Sequence, residues 1–240
     1  MDLFPAIDLR AGRVVRMRRG DPVSEFVYDP DPFAVARRWA EGGARWAHVI
    51  DLDRVFGFGE QTRLVGELAR GGALRLQVGG GLDTPEQAAA VLACGAERVI
   101  LRPAASSAPG GLAAFARRFA PARLALALDV HQGAVDLGGA AGAEVQSVPA
   151  AELAREAAAA GIRTVVYTDL GREGALGGAD VAGAAALARG AGVDVIVSGG
   201  VSTLEDLRAV RRAGLAGAVV GRALFEGRFT LREALECSSS

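Results

Sequence analysis

Short apolar runs alternate along the chain with longer stretches whose apolar residues recur at helical spacing. The short runs are Leu3–Leu9, Trp46–Leu52, Leu74–Val78, Arg98–Leu101, Leu124–Asp129, Thr164–Thr168, Asp194–Val197 and Ala218–Val220. They lack strict polar alternation, which is the pattern of parallel strands covered on both faces. Helical periodicity predicts Pro32–Glu41, Thr62–Arg70, Thr84–Cys94, Gly111–Arg118, Ala150–Ala160, Val181–Arg189, Thr203–Ala213 and Leu231–Glu236 between them. Thr84 precedes a proline suited to the first helical turn, and Thr203 holds the same place in the second half of the chain. Regular strand–helix alternation without a break in composition predicts one parallel α/β domain over residues 1–237. Gly71-Gly72, Ala104–Gly111 and Gly138–Gly142 read as loops inside it, and Ser238–Ser240 as a disordered tail.

The pattern runs twice. Pro5-Ala6-Ile7-Asp8-Leu9 followed by Gly12-Arg13-Val14-Val15 returns as Leu126-Ala127-Leu128-Asp129-Val130 followed by Gly133-Ala134-Val135. Gly43 through Leu52 returns as Gly161 through Leu170, Val78-Gly79-Gly80-Gly81 as Val197-Ser198-Gly199-Gly200, and Gly95 through Leu101 as Gly214 through Val220. The displacement stays close to about 120 positions over all four segments, the mark of an internally repeated architecture. Eight strand–helix units with a twofold repeat predict a (β/α)₈ TIM barrel built from two similar half-barrels, in preference to an open doubly wound sheet.

Half of the 240 residues are hydrophobic, enough for a sizeable core, and the net charge is −1. No global field then draws nucleic acid or an anionic membrane, so an anionic ligand must be held by local groups. Two cysteines, Cys94 and Cys237, are too few and too distant for a disulfide framework or a metal cluster. The apolar opening is interrupted by Asp2, Pro5 and Asp8, which is no signal-peptide pattern, and no apolar run is long enough to span a bilayer. A soluble, cytoplasmic monomer is expected.

Active sites of such barrels lie at the C-terminal ends of the strands. Asp8 and Asp129, related by the repeat, end the first and fifth strands and are expected to face each other across the barrel mouth. Two enclosed carboxylates can act as general base and general acid once their environments separate their pKa values; the plain alternative is that each caps a turn. Ser198-Gly199-Gly200 and Gly221-Arg222 follow the seventh and eighth strands, where bare backbone and a short helix can cradle a phosphate. The repeat predicts a second phosphate site at Gly79-Gly80-Gly81, but Arg102 and Pro103 stand where its mate has Gly221 and Arg222. Proline removes an N–H donor, whereas the Arg102 guanidinium can bind phosphate directly. The bareness of Gly79–Gly81 favours a rebuilt site.

Other polar and aromatic residues have plainer readings. His48, inside a strand, reads as a core histidine, and His131 borders the site. Trp39 and Trp46 read as packing aromatics, and Asp51 and Asp53 as braces of the barrel mouth or ligands of the substrate. Arg13, Arg18, Arg19, Arg117, Arg118, Arg208, Arg211 and Arg212 read as solvated faces.

Taken in order along nearly the whole chain, these motifs resemble the ProFAR isomerase family of histidine biosynthesis. The residues carrying the resemblance are Pro5–Leu9, Gly12–Arg16, Gly20-Asp21, Val49–Asp53, Val78–Leu82, Tyr167–Leu170, Ser198–Ser202 and Val220–Leu224. The related cyclase favours a Cys before the first Asp, where this chain has Ile7. The resemblance implies an Amadori rearrangement, in which a ribonucleotide aminoaldose with a phosphate at each end becomes an aminoketose, without metal or redox cofactor. It implies Asp8 as the base at C2, Asp129 as the acid for ring opening, and Thr168, Arg16 and Glu173 as substrate-binding residues. Gly80, Gly81, Arg102, Ser198, Gly199, Gly200, Gly221 and Arg222 are implied around the phosphates. The chain departs from the family pattern at Arg102-Pro103 (Gly-Thr), Asp83 (Arg), Gly138-Gly139 (Gly-Trp) and Glu173 (Asp). These departures keep two other readings open: an isomerase that also accepts phosphoribosylanthranilate, and a non-catalytic phosphosugar-binding barrel.

Overall fold

The computed structural model describes residues 1–18, 21–137, 146–171 and 177–239, apart from the side chains of 17, 18 and 21–24. Eight parallel strands close into a barrel: β1 (Asp2–Arg10), β2 (Trp46–Asp51), β3 (Arg75–Gly79), β4 (Arg98–Leu101), β5 (Leu124–His131), β6 (Thr164–Asp169), β7 (Asp194–Ser198) and β8 (Gly217–Val220). Each pairs with the next, and β8 returns to β1 through Asp2↔Gly217 to Pro5↔Val220. The principal helices follow in turn: α1 (Pro32–Glu41), α2 (Thr62–Arg70), α3 (Pro85–Ala93), α4 (Gly111–Arg118), α5 (Ala150–Ala159), α6 (Val181–Ala191), α7 (Leu204–Arg212) and α8 (Leu231–Ser239). The expected TIM barrel is the fold. Among the described residues no helix is long and apolar enough to cross a membrane.

Strand parity divides the core in two. Outward residues such as Leu9, Val49, Leu126, Leu128 and Val165 pack under the helices in one large cluster with Phe115, Leu153 and Leu207. Inward residues Phe4, Ala6, Trp46, Ile100, Ala125, Val166, Ile196 and Val219 form a separate cluster inside the barrel. Phe4 and Trp46, with ring centroids 5.5 Å apart, fill its lower end. Gly217 makes room for them, since a Cβ there would lie 2.7 Å from the Phe4 ring. Small residues higher up, Ala6, Ala127 and Gly79, leave the upper barrel hollow. Trp46 therefore packs inside the barrel, and Trp39 packs outside it against Phe225.

The repeat shows in the local structure. α3 and α7 both open with a reciprocal capping box, Thr84 with Gln87 and Thr203 with Asp206. Each box also ties down the preceding loop: Gln87 Oε1 accepts from the Asp83 N–H at 2.8 Å, and Asp206 Oδ2 from the Ser202 N–H at 2.9 Å. β1 and β5 both end in tight hairpins whose two central residues have positive φ, Ala11-Gly12 and Gln132-Gly133. That geometry joins twisted strands without splaying them. These hairpins lead into Arg13–Arg18 and Asp21–Asp29 in the first half, and Ala134–Asp136 and Ser147–Pro149 in the second.

Those four strands were not expected, nor was the short helix Leu52–Phe56, whereas Arg222–Phe225 is the short helix expected beside Gly221-Arg222. The end of the chain also differs from expectation at Ser238 and Ser239, which continue α8 instead of forming a loose tail. Ser238 is buried, and its carbonyl accepts from the Met1 ammonium at 3.2 Å.

Candidate active site

A cavity of about 550 Å³ opens at the C-terminal ends of the strands. The inward positions at the tops of β1, β5, β6 and β7 are Asp8, Asp129, Thr168 and Ser198, and all four line it. Arg16, Gly80, Gly81 and Arg102 line it too. Gly199, Gly200, Gly221 and Arg222 do not; they flank it beyond Ser198 and Val219. Glu173 and Gly138-Gly139 lie outside the described residues.

The two carboxylates are equivalent by sequence and made unequal by their neighbours. The first hairpin brings Arg16 back over the barrel mouth, where Nη1 donates to Asp8 Oδ2 at 3.1 Å. Burial pushes the Asp8 carboxyl above the usual carboxylate range, while the field and hydrogen bond of Arg16 pull it back. Among the described residues, Asp129 has no such direct cation. The position the repeat relates to Arg16 is Leu137, which lines the same cavity. Desolvation by the surrounding protein raises the Asp129 carboxyl, opposed by a hydrogen bond from Thr168 and the more distant charge of Arg102. Its side chain is open to the cavity, so a ligand that displaces cavity water strengthens the desolvation.

His48, read as a core residue, is both buried and part of the cavity wall. Arg98 Nη1 donates to Gln77 Oε1 at 3.4 Å, which orients the amide so that Gln77 Nε2 donates to His48 Nδ1 at 2.9 Å. With Nδ1 accepting, a neutral His48 carries its proton on Nε2. Burial and the charge of Arg16 lower its pKa to about 4, so it is neutral at pH 7. Counting inward positions back from Ile50 finds His48. Phe56, from the unexpected helix after β2, and Leu170 supply apolar wall that periodicity did not mark.

Asp51 and Asp53 are braces. Asp51 accepts from the Arg54 and Gln61 N–H groups at 3.1 and 2.7 Å, and Asp53 accepts from the Ala11 N–H at 2.9 Å and from the Gln61 side chain.

The glycines after β3 prove to have a packing cause. A Cβ on Gly80 would lie 2.5 Å from the Asp51 carbonyl oxygen, and one on Gly81 2.9 Å from Arg54 Cγ. Their bareness therefore does not argue for phosphate by itself. Gly200 is held in the same way, against the Gly178 carbonyl. Asp83, which would repel phosphate if aimed inwards, is not part of the cavity wall and meets Arg102 Nε at 3.0 Å. At the opposite site Arg222 Nε pairs with Glu226 at 2.5 Å, and Arg16 passes within 3.9 Å of where a Gly221 Cβ would stand.

Comparison with known proteins places this arrangement. The model of the family described as histidine biosynthesis protein matches residues 2–230. The chain is 41% identical over 239 residues to the 1-(5-phosphoribosyl)-5-((5-phosphoribosylamino)methylideneamino)imidazole-4-carboxamide isomerase of Moorella thermoacetica, covering 98% of this chain and 97% of that protein. The enzymes of the same name from Symbiobacterium thermophilum and Thermus thermophilus are 44% and 39% identical, with at least 96% of each chain covered. With a match of this extent, the chain belongs to the histidine biosynthesis protein family.

Proposed function

We infer that the chain isomerises the bisphosphorylated aminoaldose named in its relatives to the corresponding aminoketose, a step of histidine biosynthesis. The observation that carries this is the pair Asp8 and Asp129, set by parity into one cavity and made unequal by Arg16 on one side and Leu137 on the other. In this reading Asp129 gives its proton to the ring oxygen as the C1–O bond breaks, leaving an iminium at C1. Asp8, whose carboxylate form Arg16 favours, then takes the proton from C2, and the resulting enol returns a proton to C1 as the ketone forms. Thr168 holds Asp129, and neutral His48 offers Nε2–H to a sugar oxygen. The reaction is redox-neutral and its protons move between carboxylates, so it calls for no electron carrier.

A substrate with a phosphate at each end suits a barrel with two related glycine-bearing ends, at β3–β4 and β7–β8. Gly80, Gly81 and Arg102 serve one phosphate in this reading; Ser198, Gly199, Gly200, Gly221 and Arg222 serve the other. Glu173 completes the substrate-binding set. The protein acts as a cytoplasmic monomer.

Turnover by the purified protein tests the assignment. Asp8→Asn and Asp129→Asn are each expected to lose about 10²- to 10⁴-fold in kcat with the fold intact, the range for a general acid or base. Near-full activity in both variants would refute it.

A further inference from the structure

Among the described residues, the arginine that acts on each carboxylate comes from a different place in the two halves. Asp8 takes its arginine from the hairpin that follows its own strand, and the neighbouring strand β8 ends in bare Gly221. Asp129 has apolar Leu137 at the matching hairpin position, and its arginine, Arg102, comes from the end of the neighbouring strand β4. Arg102 does not rest on Asp129. Its Nε lies 3.0 Å from Asp83 Oδ1 as an ion pair without hydrogen-bond geometry, and the Asp83 backbone is itself fixed by Gln87 of the capping box. Contact through Nε leaves the terminal fork of the guanidinium, the edge that grips phosphate in a bidentate manner.

We propose that Arg102, braced by Asp83, is a positioning residue that ties capture of the substrate phosphate at the ends of β3 and β4 to proton delivery by Asp129. The inference rests on the isomerase reading above. In the free protein the Arg102 charge favours ionised Asp129. A phosphate on Arg102 offsets that charge, so Asp129 holds its proton when substrate is in place to receive it. Asp83 keeps the guanidinium from collapsing onto Asp129. Among the described residues, the other groups around Asp129 are the neutral Thr168 hydroxyl on β6, Asp136 and Leu137 of its own hairpin, exposed His131 two positions on, and the Asp8–Arg16 pair and neutral His48 across the cavity.

The test is the pH profile of kcat/KM, whose alkaline limb reports loss of the catalytic acid's proton. Arg102→Gln is expected to move that limb up by roughly half a pH unit or more, because an opposing charge has gone. It should also raise KM. Asp83→Asn is expected to move the limb down and reduce kcat without raising KM, since the guanidinium is released towards Asp129 and a negative charge is lost. Arg102→Lys should keep the limb near its wild-type position. Arg102 and Asp83 are both partly exposed, so the variants are expected to fold, with melting curves as the control. Limbs that stay in place, or that move the same way in both variants, would overturn the inference while leaving the isomerase standing. Absence of turnover in a folded wild type would overturn the isomerase reading and this inference together.

Discussion

Asp129, the acid of the proposed mechanism, also links its protonation to the stability of the fold. Its carboxyl is raised in the folded state by desolvation, so the native chain binds that proton more tightly than the unfolded chain does. The linked stability is therefore present at low pH and is lost as pH rises from the unfolded value through the folded one. At pH 7 Asp129→Asn should melt higher than wild type while losing activity. Scanning calorimetry checks this; a lower melting point would mean that the hydrogen bond with Thr168 outweighs desolvation. His48 has the opposite sign. Its pKa is lowered to about 4, so its contribution is complete above pH 6.5 and is lost as pH falls from 6.5 towards 4. Denaturant titrations should show stability declining across that window by up to about 3 kcal/mol, from 1.36 kcal/mol per pKa unit. His48→Gln should flatten the decline. The sequence marked Asp8 and Asp129 as a repeated pair at strand ends, and Thr168 through the family resemblance. It did not mark His48, because a lone histidine within a strand becomes a wall residue only once the barrel is known to be hollow at that level.

Hydrogen-bonded caps hold the loops at both proposed phosphate ends, which at the scale of the element ties helix capping to the proposed binding. Thr84→Ala and Thr203→Ala each remove one side of a capping box. Each is expected to cost about 1 kcal/mol, seen as a Tm lower by about 2–4 °C. Thr203→Ala should also raise KM, because the box anchors Ser202 next to Gly199 and Gly200. An unchanged KM in that variant would separate the cap from phosphate binding. All eight barrel strands and all eight principal helices were legible as apolar runs and helical periodicities, within a few residues at each end. The hairpins after β1 and β5 were visible only as the repeated Gly12-Arg13-Val14 and Gly133-Ala134-Val135. Their turns place Ala11 and Gln132 at positive φ, a conformation such residues seldom adopt, so the usual Asn-Gly or Asp-Gly signal was missing. The short helices after β2 and β8 span five and four residues, less than two turns, and leave no periodic trace.

At the scale of the molecule, a twofold scaffold supports a reaction that is not twofold. The barrel gives two carboxylates, two hairpins and two capped loops in related places. The proposed mechanism needs one base and one acid, and in it the difference comes from a few substitutions between the halves: Arg16 against Leu137, and Arg102 against Gly221. Arg102 against Gly221 was read in the sequence as a departure from the repeat; Arg16 against Leu137 was not. The consequence was not legible either, because the pairing of Arg102 with Asp83 depends on where two loops meet. The most direct test of the account is single-turnover isomerisation of the bisphosphorylated aminoaldose carrying deuterium at C2, by wild type and by Asp8→Asn. The account predicts product from the wild type at a rate slowed several-fold by the deuterium, and a rate lower by about 10²-fold or more in the variant. No product from a folded wild type, or an Asp8→Asn rate close to wild type, would contradict it.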